Sequence, residues 1–182
     1  MKSLIVTEWV SLDGIFDSGS MDKWWNPFDS PIRQKYIQDT INNSDIMLYG
    51  RATYEMLYPY WSTFKDNAMG VADKLNKGKK YVVSSSLKKA NWENTTILSK
   101  DFVKEVAKLK KQDSGYILVQ GSSSLLKPLL EAGLVDELKL LINPYIMGNG
   151  ARPFLGEIEC NLEFFEFRKL DKNVVLLNYK PG

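Results

Sequence analysis

The chain has 182 residues with 24 Lys and Arg against 22 Asp and Glu, which fits one soluble globular domain of near-neutral charge. This balance gives no electrostatic reason to expect nucleic acid or a membrane as the partner. A single Cys excludes an internal disulfide, and the absence of His from the sequence excludes Ser-His-Asp, Cys-His and HExxH zinc chemistry. Acid–base chemistry must therefore come from Asp, Glu, Tyr, Lys or a cofactor.

The N-terminal segment is not typical of a targeting signal, because Glu8 and Asp13 interrupt its apolar stretch. With only one Cys, this favours a cytoplasmic protein. The sequence contains no repeat, low-complexity tract or linker, which predicts a single domain over residues 1–182.

Short apolar runs predict strands that are buried on both faces of a sheet. In chain order they are Leu4 to Val10, Ile46 to Leu48, Tyr81 to Val83, Tyr116 to Val119 and Glu137 to Ile142. Helical patterns separate these runs. Ser30 is predicted to cap one helix that begins at Pro31, and Asp101 can cap a second. A leucine-rich third helix follows three serines and ends at Gly133.

The C-terminus has a different pattern. Leu162 to Leu170 and Val174 to Tyr179 flank Asp171-Lys172-Asn173, which predicts an antiparallel hairpin. Alternating strands and helices followed by an antiparallel pair predict an α/β three-layer sandwich with a mixed, mostly parallel central sheet.

Polar segments follow the first two strands, at the carboxyl ends where parallel sheets bind ligands. Ser11-Leu12-Asp13-Gly14 offers an acid that could polarise a substrate, or Asp13-Gly14 simply makes a tight turn. Gly50-Arg51-Ala52-Thr53 opens a helix whose N-terminus, hydroxyl and guanidinium suit a phosphate. The alternative for this second segment is a plain helix start with a surface Arg.

Two further junctions are rich in serine. Ser84-Ser85-Ser86 could contact a ribose or phosphate, or form an ordinary strand-to-loop transition. Gly121-Ser122-Ser123-Ser124 could bind a pyrophosphate, or its serines only cap the next helix. If these junctions share one sheet edge, they predict an extended, phosphate-bearing ligand such as a dinucleotide.

An aromatic loop between Gly19 and Pro31 carries large apolar side chains, among them Trp24 and Trp25. Such side chains need cover. They either stack on a planar ligand as a lid, pack beneath the loop, or contact a second subunit.

The order of these segments resembles the dihydrofolate-reductase-like superfamily, in particular the C-terminal reductase domain of the bifunctional riboflavin-biosynthesis enzyme. Six segments carry the resemblance along nearly the whole chain. They are Ser11-Leu12-Asp13-Gly14, Gly50-Arg51-Ala52-Thr53-Tyr54-Glu55, Val82-Val83-Ser84-Ser85, Val119-Gln120-Gly121-Ser122, Gly133-Leu134-Val135-Asp136-Glu137-Leu138 and Pro144-Tyr145-Ile146-Met147-Gly148-Asn149-Gly150.

The resemblance implies a mixed sheet flanked by helices, NADPH as cofactor, and hydride transfer to a pterin- or pyrimidine-like ring. Its candidate cofactor contacts are Gly14, Gly50, Arg51, Thr53, Ser84, Ser85, Gly121, Ser122, Ser123 and Ser124. Asp13 is the candidate catalytic residue, since a carboxylate near the substrate ring could orient or protonate a ring nitrogen. Trp24, Trp25 and Tyr145 are the candidate substrate contacts.

The sequence also departs from named members of this superfamily. Nothing in it corresponds to the zinc deaminase half of the bifunctional enzyme, because it has no His and only Cys160, so no metal is expected. The familiar Gly-Gly of the fourth segment is Gly121-Ser122. The acid that faces the pterin in folate reductases has no clear match, although Asp22 and Asp29 lie in that stretch.

The leading hypothesis is therefore an NADPH-dependent reductase of a small planar heterocycle, of the dihydrofolate reductase or 5-amino-6-(5-phosphoribosylamino)uracil reductase type. The alternatives are a non-catalytic nucleotide- or heterocycle-binding module and a flavin-using protein on the same fold. A homodimer is expected from the resemblance, and because the C-terminal hairpin and many aromatic residues offer apolar surface to bury.

Overall fold

The computed structural model describes residues 1–99, 101–113, 115–121, 123–148, 155–156 and 158–182. In this part of the chain, eight strands form one sheet with the order β4-β3-β2-β5-β1-β6-β8-β7. The strands are β1 (Ser3–Ser11), β2 (Ile46–Gly50), β3 (Lys79–Val83), β4 (Thr95–Leu98), β5 (Tyr116–Val119), β6 (Glu137–Asn143), β7 (Leu162–Lys169) and β8 (Val175–Pro181).

The sheet is mixed and mostly parallel, as predicted. Strands β1 to β6 run parallel, whereas β8 pairs antiparallel with β6 and β7 pairs antiparallel with β8. All six parallel strands therefore end at the same side of the sheet, which we call the carboxyl edge. This is the dihydrofolate-reductase-like arrangement that the sequence predicts.

The described helices are α1 (Met21–Trp24), α2 (Pro31–Asn42), α3 (Arg51–Trp61), α4 (Ala72–Lys77), α5 (Phe102–Lys110) and α6 (Ser123–Glu131). The cap predicted at Ser30 is confirmed, because its hydroxyl accepts a hydrogen bond from the backbone N–H of Arg33 at 3.2 Å. Gly133 ends α6 with a φ of 62°. The cap predicted at Asp101 is wrong, because this residue is left-handed and its side chain makes no cap hydrogen bond.

The core lies on both faces of the sheet. Helices α5 and α6 cover one face over a cluster that includes Val6, Val119 and Leu126, and the other face carries two clusters that include Tyr49 and Trp24. Successive side chains of a strand point to opposite faces. Glu8 therefore lies on the same face as Val6 and Val10, the face that α5 and α6 cover.

Strand β1 extends beyond the end of β5 at the carboxyl edge. The pairing of β1 with β5 ends at Val6 and Val119, whereas its pairing with β6 continues to Ser11 and Asn143. The second half of β1 thus has a neighbouring strand on one side only. We call the space beyond the end of β5, beside residues 7–11, the crevice.

Candidate functional site

The fold brings the predicted segments together in one row along the carboxyl edge. Following the strand order, Ser84-Ser85 comes after β3, Gly50 to Thr53 after β2, Gly121 after β5, Asp13-Gly14 after β1 and Tyr145 after β6. Adjacent strands lie about 4.8 Å apart, so the row from β3 to β1 spans about 14 Å. Such a row suits an extended ligand. Ser122, Asn149 and Gly150 lie outside the described residues.

The two junctions at the centre of the row touch each other. The backbone N–H of Gly50 donates to the carbonyl oxygen of Gly121 at 3.2 Å. Helix α3 begins directly after Gly50, which has no side chain to cap it, so the first N–H groups of this helix can meet an anion. The Arg51 side chain is exposed and lies 3.6 Å from Glu55, one helical turn on.

Gly121 is the point where three elements meet. Its φ is +67°, a conformation that favours glycine. A Cβ at this position would lie 2.9 Å from Oε1 of Glu8 on β1 and 2.9 Å from Oγ1 of Thr53 on α3. The structure therefore has room only for a glycine here, and two polar side chains point at the same small space.

Glu8 is a site residue that the sequence analysis did not assign. Its exposed fraction is 7%, and Oε1 has no hydrogen-bond partner among the described residues. Burial raises the pKa of this carboxyl to about 8, although the backbone N–H of Trp9 partly lowers it. Glu8 is thus mostly neutral at pH 7. The signal in the sequence was a single acid within the apolar run from Leu4 to Val10.

Asp13 joins two loops of the carboxyl edge. It accepts hydrogen bonds from the Ser11 hydroxyl at 2.6 Å and from the backbone N–H groups of Met147 at 3.1 Å and Gly148 at 2.8 Å. These bonds, the one from Ser11 most, lower its pKa to about 2. Asp13 is therefore ionised at neutral pH, which of the two roles predicted from the sequence favours orienting a group over donating a proton.

The turn after β1 contains Gly14 in a left-handed conformation that favours glycine. The backbone N–H of Gly14 donates to the Ser11 carbonyl at 2.9 Å, and the φ of Gly14 is +77°. No described atom lies within 4 Å of the position of a Cβ there. Space in front of Gly14 is compatible with a ligand at the mouth of the crevice.

The two serines after β3 differ in their surroundings. Ser84 is buried, and its hydroxyl accepts hydrogen bonds from the backbone N–H groups of Ser86 at 3.2 Å and Leu87 at 2.9 Å. It thus shapes the turn, as the alternative interpretation held. Ser85 is exposed at the carboxyl edge, as are Ser123 and Ser124 at the start of α6.

The aromatic loop does not form a lid in this structure. Trp24 is 0% exposed and Trp25 8%. Trp9 stacks on Trp25 with ring centroids 4.2 Å apart, and the guanidinium of Arg33 lies 3.8 Å from the centroid of the same ring. The rings of Trp24 and Trp25 are thus packed inside the protein, which agrees with the alternative that they pack beneath the loop, and their contact with a substrate stays a prediction.

Tyr145 lies closer to the site than the tryptophans. It is half-buried, and its carbonyl oxygen accepts a hydrogen bond from the backbone N–H of Leu12 at 2.8 Å. This contact holds Tyr145 beside the loop that carries Asp13. Of the two acids considered as pterin contacts, Asp22 is exposed, and Asp29 accepts a hydrogen bond from Arg33 at 2.9 Å.

Other features of the structure lie apart from this edge. A groove of about 510 Å³ runs along α2 and is bordered by Lys35, Tyr36 and Arg168, but it contains none of the predicted site residues.

Within the residue ranges given above, no three His, Cys, Asp or Glu side chains come together as metal ligands. In the same part of the chain, no helix combines the length and apolar character needed to cross a membrane.

The fold and the row of junctions define a dihydrofolate-reductase-like protein with its candidate ligand site at the carboxyl edge. The model of the RibD C-terminal domain family matches residues 2–176. The chain therefore belongs to the RibD C-terminal domain family, a family of oxidoreductases.

Individual relatives agree with this assignment. The uncharacterised protein YyaP of Bacillus subtilis (strain 168) is 26% identical over 181 residues, which cover 98% of this chain and 94% of YyaP. A protein from Shewanella sp. PV-4, provisionally assigned to riboflavin biosynthesis, has a TM-score of 0.74 at 18% identity, covering 99% of both chains. Dihydrofolate reductase from Enterococcus faecalis, solved with NADP(H) and the ligand RAB-propyl, has a TM-score of 0.66 at 16% identity, covering 99% of this chain and 96% of that one. These two structures establish the fold.

Proposed function

We propose that the protein is an NADPH-dependent reductase that transfers hydride to a small pterin- or pyrimidine-like heterocycle. The observation that carries this proposal is the convergence at Gly121, where a left-handed glycine without a Cβ lets the side chains of Thr53 and Glu8 approach the junction. Family membership and the dinucleotide-bound relative of the same fold support it.

The residues of the carboxyl edge fit the proposed cofactor. Gly50, Arg51 and Thr53 would hold a phosphate at the start of α3, and Gly121 with the α6 serines would hold the pyrophosphate. Ser85 would lie near the adenosine, and Gly14 near the nicotinamide. The uncapped start of α3 and the hydrogen bond that joins it to Gly121 are the structural features that suit a phosphate-bearing group.

The chemistry of such a reductase needs little from the protein. The reduced nicotinamide supplies the hydride when it is bound, so an enzyme of this kind needs no His. The chain's own residues orient the ligands and exclude water. Asp13 keeps the loops after β1 and β6 joined at the mouth of the crevice through its bonds to Met147 and Gly148.

The structure favours a pyrimidine-type substrate over a folate. Asp29 is held by Arg33 and by Gln34, whose side-chain amide donates to it at 2.5 Å, and Asp22 is exposed. Neither side chain therefore offers a free buried carboxylate to a pterin. We place the substrate ring at the mouth of the crevice, beside Tyr145.

A thermal-shift screen with NADPH, NADH, FMN and folates tests the proposal. A ligand at one hundred times its dissociation constant stabilises the folded protein by about 2.7 kcal/mol. We expect the largest shift with NADPH, followed by consumption of NADPH when a ribosylaminopyrimidine is added. Stabilisation by FMN alone would favour the flavin-using alternative. Binding of NADPH without turnover of any heterocycle would favour the non-catalytic module.

The outer strand β7 carries the surface that we propose for a homodimer. Phe164, Phe165 and Phe167 are 52%, 41% and 64% exposed, and apolar side chains along an edge strand are normally covered. We propose that a second copy of the chain packs against these three side chains. Light scattering should give a dimer mass, and Phe167→Glu should give a monomer while Ile32→Glu, a control at an exposed position on α2, should not. A monomer mass for the unaltered protein would overturn this assignment.

We propose that the protein acts in the cytoplasm on a small molecule, without a nucleic-acid or membrane partner. The free, exposed Cys160 fits a reducing compartment.

A further inference from the structure

We propose that Glu8 is a specificity-determining residue whose carboxyl group hydrogen-bonds an uncharged amide group at the nicotinamide end of the bound cofactor. This inference rests on the proposed function and names a contact from a residue that the sequence resemblance does not assign.

The position of Glu8 places it at the entrance of the crevice. It lies two residues beyond Val6, where β5 has ended and β1 keeps only its β6 neighbour. Its Oε1 and the Thr53 hydroxyl are both 2.9 Å from the place that a Cβ on Gly121 would take. A ligand bound against the two central junctions would therefore lie next to the Glu8 side chain.

The carboxyl group of Glu8 has unused hydrogen-bonding capacity. The residue is 7% exposed, and Oε1 has no partner among the described residues. Buried polar groups without partners destabilise a fold and are uncommon, so each one calls for an explanation. A ligand group that completes the hydrogen bond is such an explanation, because a leucine would pack in this apolar layer at lower cost.

The chemistry of a neutral carboxyl group selects the ligand group. Burial raises the pKa of Glu8 to about 8, so at pH 7 it presents one O–H donor and one carbonyl acceptor. A carboxamide offers the complementary acceptor and donor, whereas an ionised phosphate offers no hydrogen-bond donor. Strand order points the same way, because the phosphate-compatible junctions follow β3, β2 and β5, and Glu8 lies on β1.

The contact between Glu8 and the amide group is tested by measuring the affinity of three proteins for two ligands by isothermal calorimetry. The ligands are NADPH and 2′-phospho-ADP-ribose, which lacks the nicotinamide. The proteins are the unaltered chain, Glu8→Gln and Glu8→Leu. Glu8→Gln keeps a donor and an acceptor, so we expect NADPH affinity within about threefold. Glu8→Leu should weaken NADPH at least tenfold and leave 2′-phospho-ADP-ribose unchanged.

The other outcomes overturn the proposal in distinguishable ways. Equal NADPH affinity in Glu8→Leu, or equal weakening of both ligands, would show that Glu8 does not contact the amide group. Failure of the unaltered protein to bind either ligand would overturn the proposed function, and this inference with it.

The melting temperature of each ligand-free variant separates binding from folding, since Glu8→Leu should melt no lower than the unaltered protein. If Glu8→Leu does not fold, Glu8→Met takes its place with the same expected outcome.

Discussion

The backbone N–H of Gly50 donates a hydrogen bond to the carbonyl oxygen of Gly121 at 3.2 Å, although the two residues belong to separate strand-to-helix junctions. This bond sets the starts of α3 and α6 side by side at the carboxyl edge. Each helix start carries partial positive charge, so a ligand phosphate placed there is attracted by both. The relation between these two glycines is the structural basis of the proposed cofactor site.

Gly121→Ala should abolish NADPH binding. The new methyl group would lie 2.9 Å from Glu8 Oε1 and from Thr53 Oγ1, and it would displace these two side chains, both of which are proposed cofactor contacts. The left-handed backbone adds roughly 1–2 kcal/mol of destabilisation. Isothermal calorimetry for binding and chemical unfolding for stability measure the two effects separately.

Gly133→Ala is the matched control for this substitution. Its φ of +62° is close to that of Gly121, but no described atom lies within 4 Å of the new methyl group. We expect the same backbone cost and full NADPH binding. If both variants bind NADPH like the unaltered protein, the cofactor does not approach Gly121.

Arg51→Ala should weaken NADPH more than NADH. A guanidinium at the start of α3 can pair with the additional 2′-phosphate, and such charge-assisted contacts contribute roughly 1.5–3 kcal/mol, or about 10- to 100-fold in affinity. The present ion pair with Glu55 is exposed, so its loss should barely change stability. Titration with both cofactors measures the difference.

Arg168→Ala provides the control for Arg51. Arg168 is also an arginine with an exposed ion pair, 3.3 Å from Glu166, but it lies on β7 away from the carboxyl edge. Its removal should change neither affinity. Equal losses of NADPH and NADH in Arg51→Ala would remove Arg51 from 2′-phosphate recognition, and Lys88 or Lys89 would then be tested in the same way.

Asp13→Asn should release the loop after β6. The asparagine amide would place a donor opposite the donating N–H of Gly148, while the other oxygen could still accept from Ser11 and Met147. We expect faster hydrogen exchange at the amides of Met147 and Gly148 and at least a tenfold loss of turnover, with cofactor affinity nearly unchanged. Asp17→Asn, which alters a local turn only, should leave both readouts as they are. Normal turnover together with unchanged exchange would contradict a positioning role for Asp13.

This loop contact also predicts a dependence on pH. Because the folded pKa of Asp13 is lowered from 3.8 to about 2, its stabilising bonds are fully present above about pH 4 and are lost as the pH falls through 2. Near neutral pH, the protection of the Met147 and Gly148 amides should therefore not change through titration of Asp13. The Asp13→Asn variant should show no such change in amide protection at low pH, because asparagine does not titrate.

The sequence predicted the strands and their junctions well, because apolar runs and the polar residues that end them are local signals. Tyr116 to Val119 is predicted with the bounds that the structure shows, and the hairpin around Asp171 to Asn173 is confirmed. Strand β4 was missed, since Thr95 to Leu98 has only two apolar residues and no long run.

The surroundings of the site residues depend on contacts between separate segments of the chain. Trp25 is buried because Trp9 and Arg33 pack against its ring, and no local pattern reveals either contact. Asp13 is engaged by backbone groups more than 130 residues away. Oε1 of Glu8 has no hydrogen-bond partner among the described residues, and β5 stops at Val119 beside it, which depends on strand order and register.

The burial of Glu8 on β1 predicts that the free energy of unfolding depends on pH. The pKa of Glu8 is raised from 4.5 to about 8 in the folded protein, so between these values the folded chain keeps a proton that the unfolded chain releases. Stability should therefore fall as the pH rises from about 4.5 to about 8, by at most about 1.4 kcal/mol per pH unit from this group. Above about pH 8 both states have lost the proton, and the slope from Glu8 disappears.

Glu8→Gln isolates this contribution, because glutamine resembles the neutral acid in shape but does not titrate. Chemical unfolding of both proteins from about pH 5 to pH 8 should show that the glutamine variant gains stability relative to the unaltered protein as the pH rises. All other titrating groups are shared, so their effects cancel in the difference. Val10, two residues on and on the same face of β1, offers a control: Val10→Ala should lower stability by a similar amount at every pH. A stability difference between Glu8→Gln and the unaltered protein that stays constant over this range would show that Glu8 is already ionised at neutral pH, and a neutral donor in the crevice would then be ruled out.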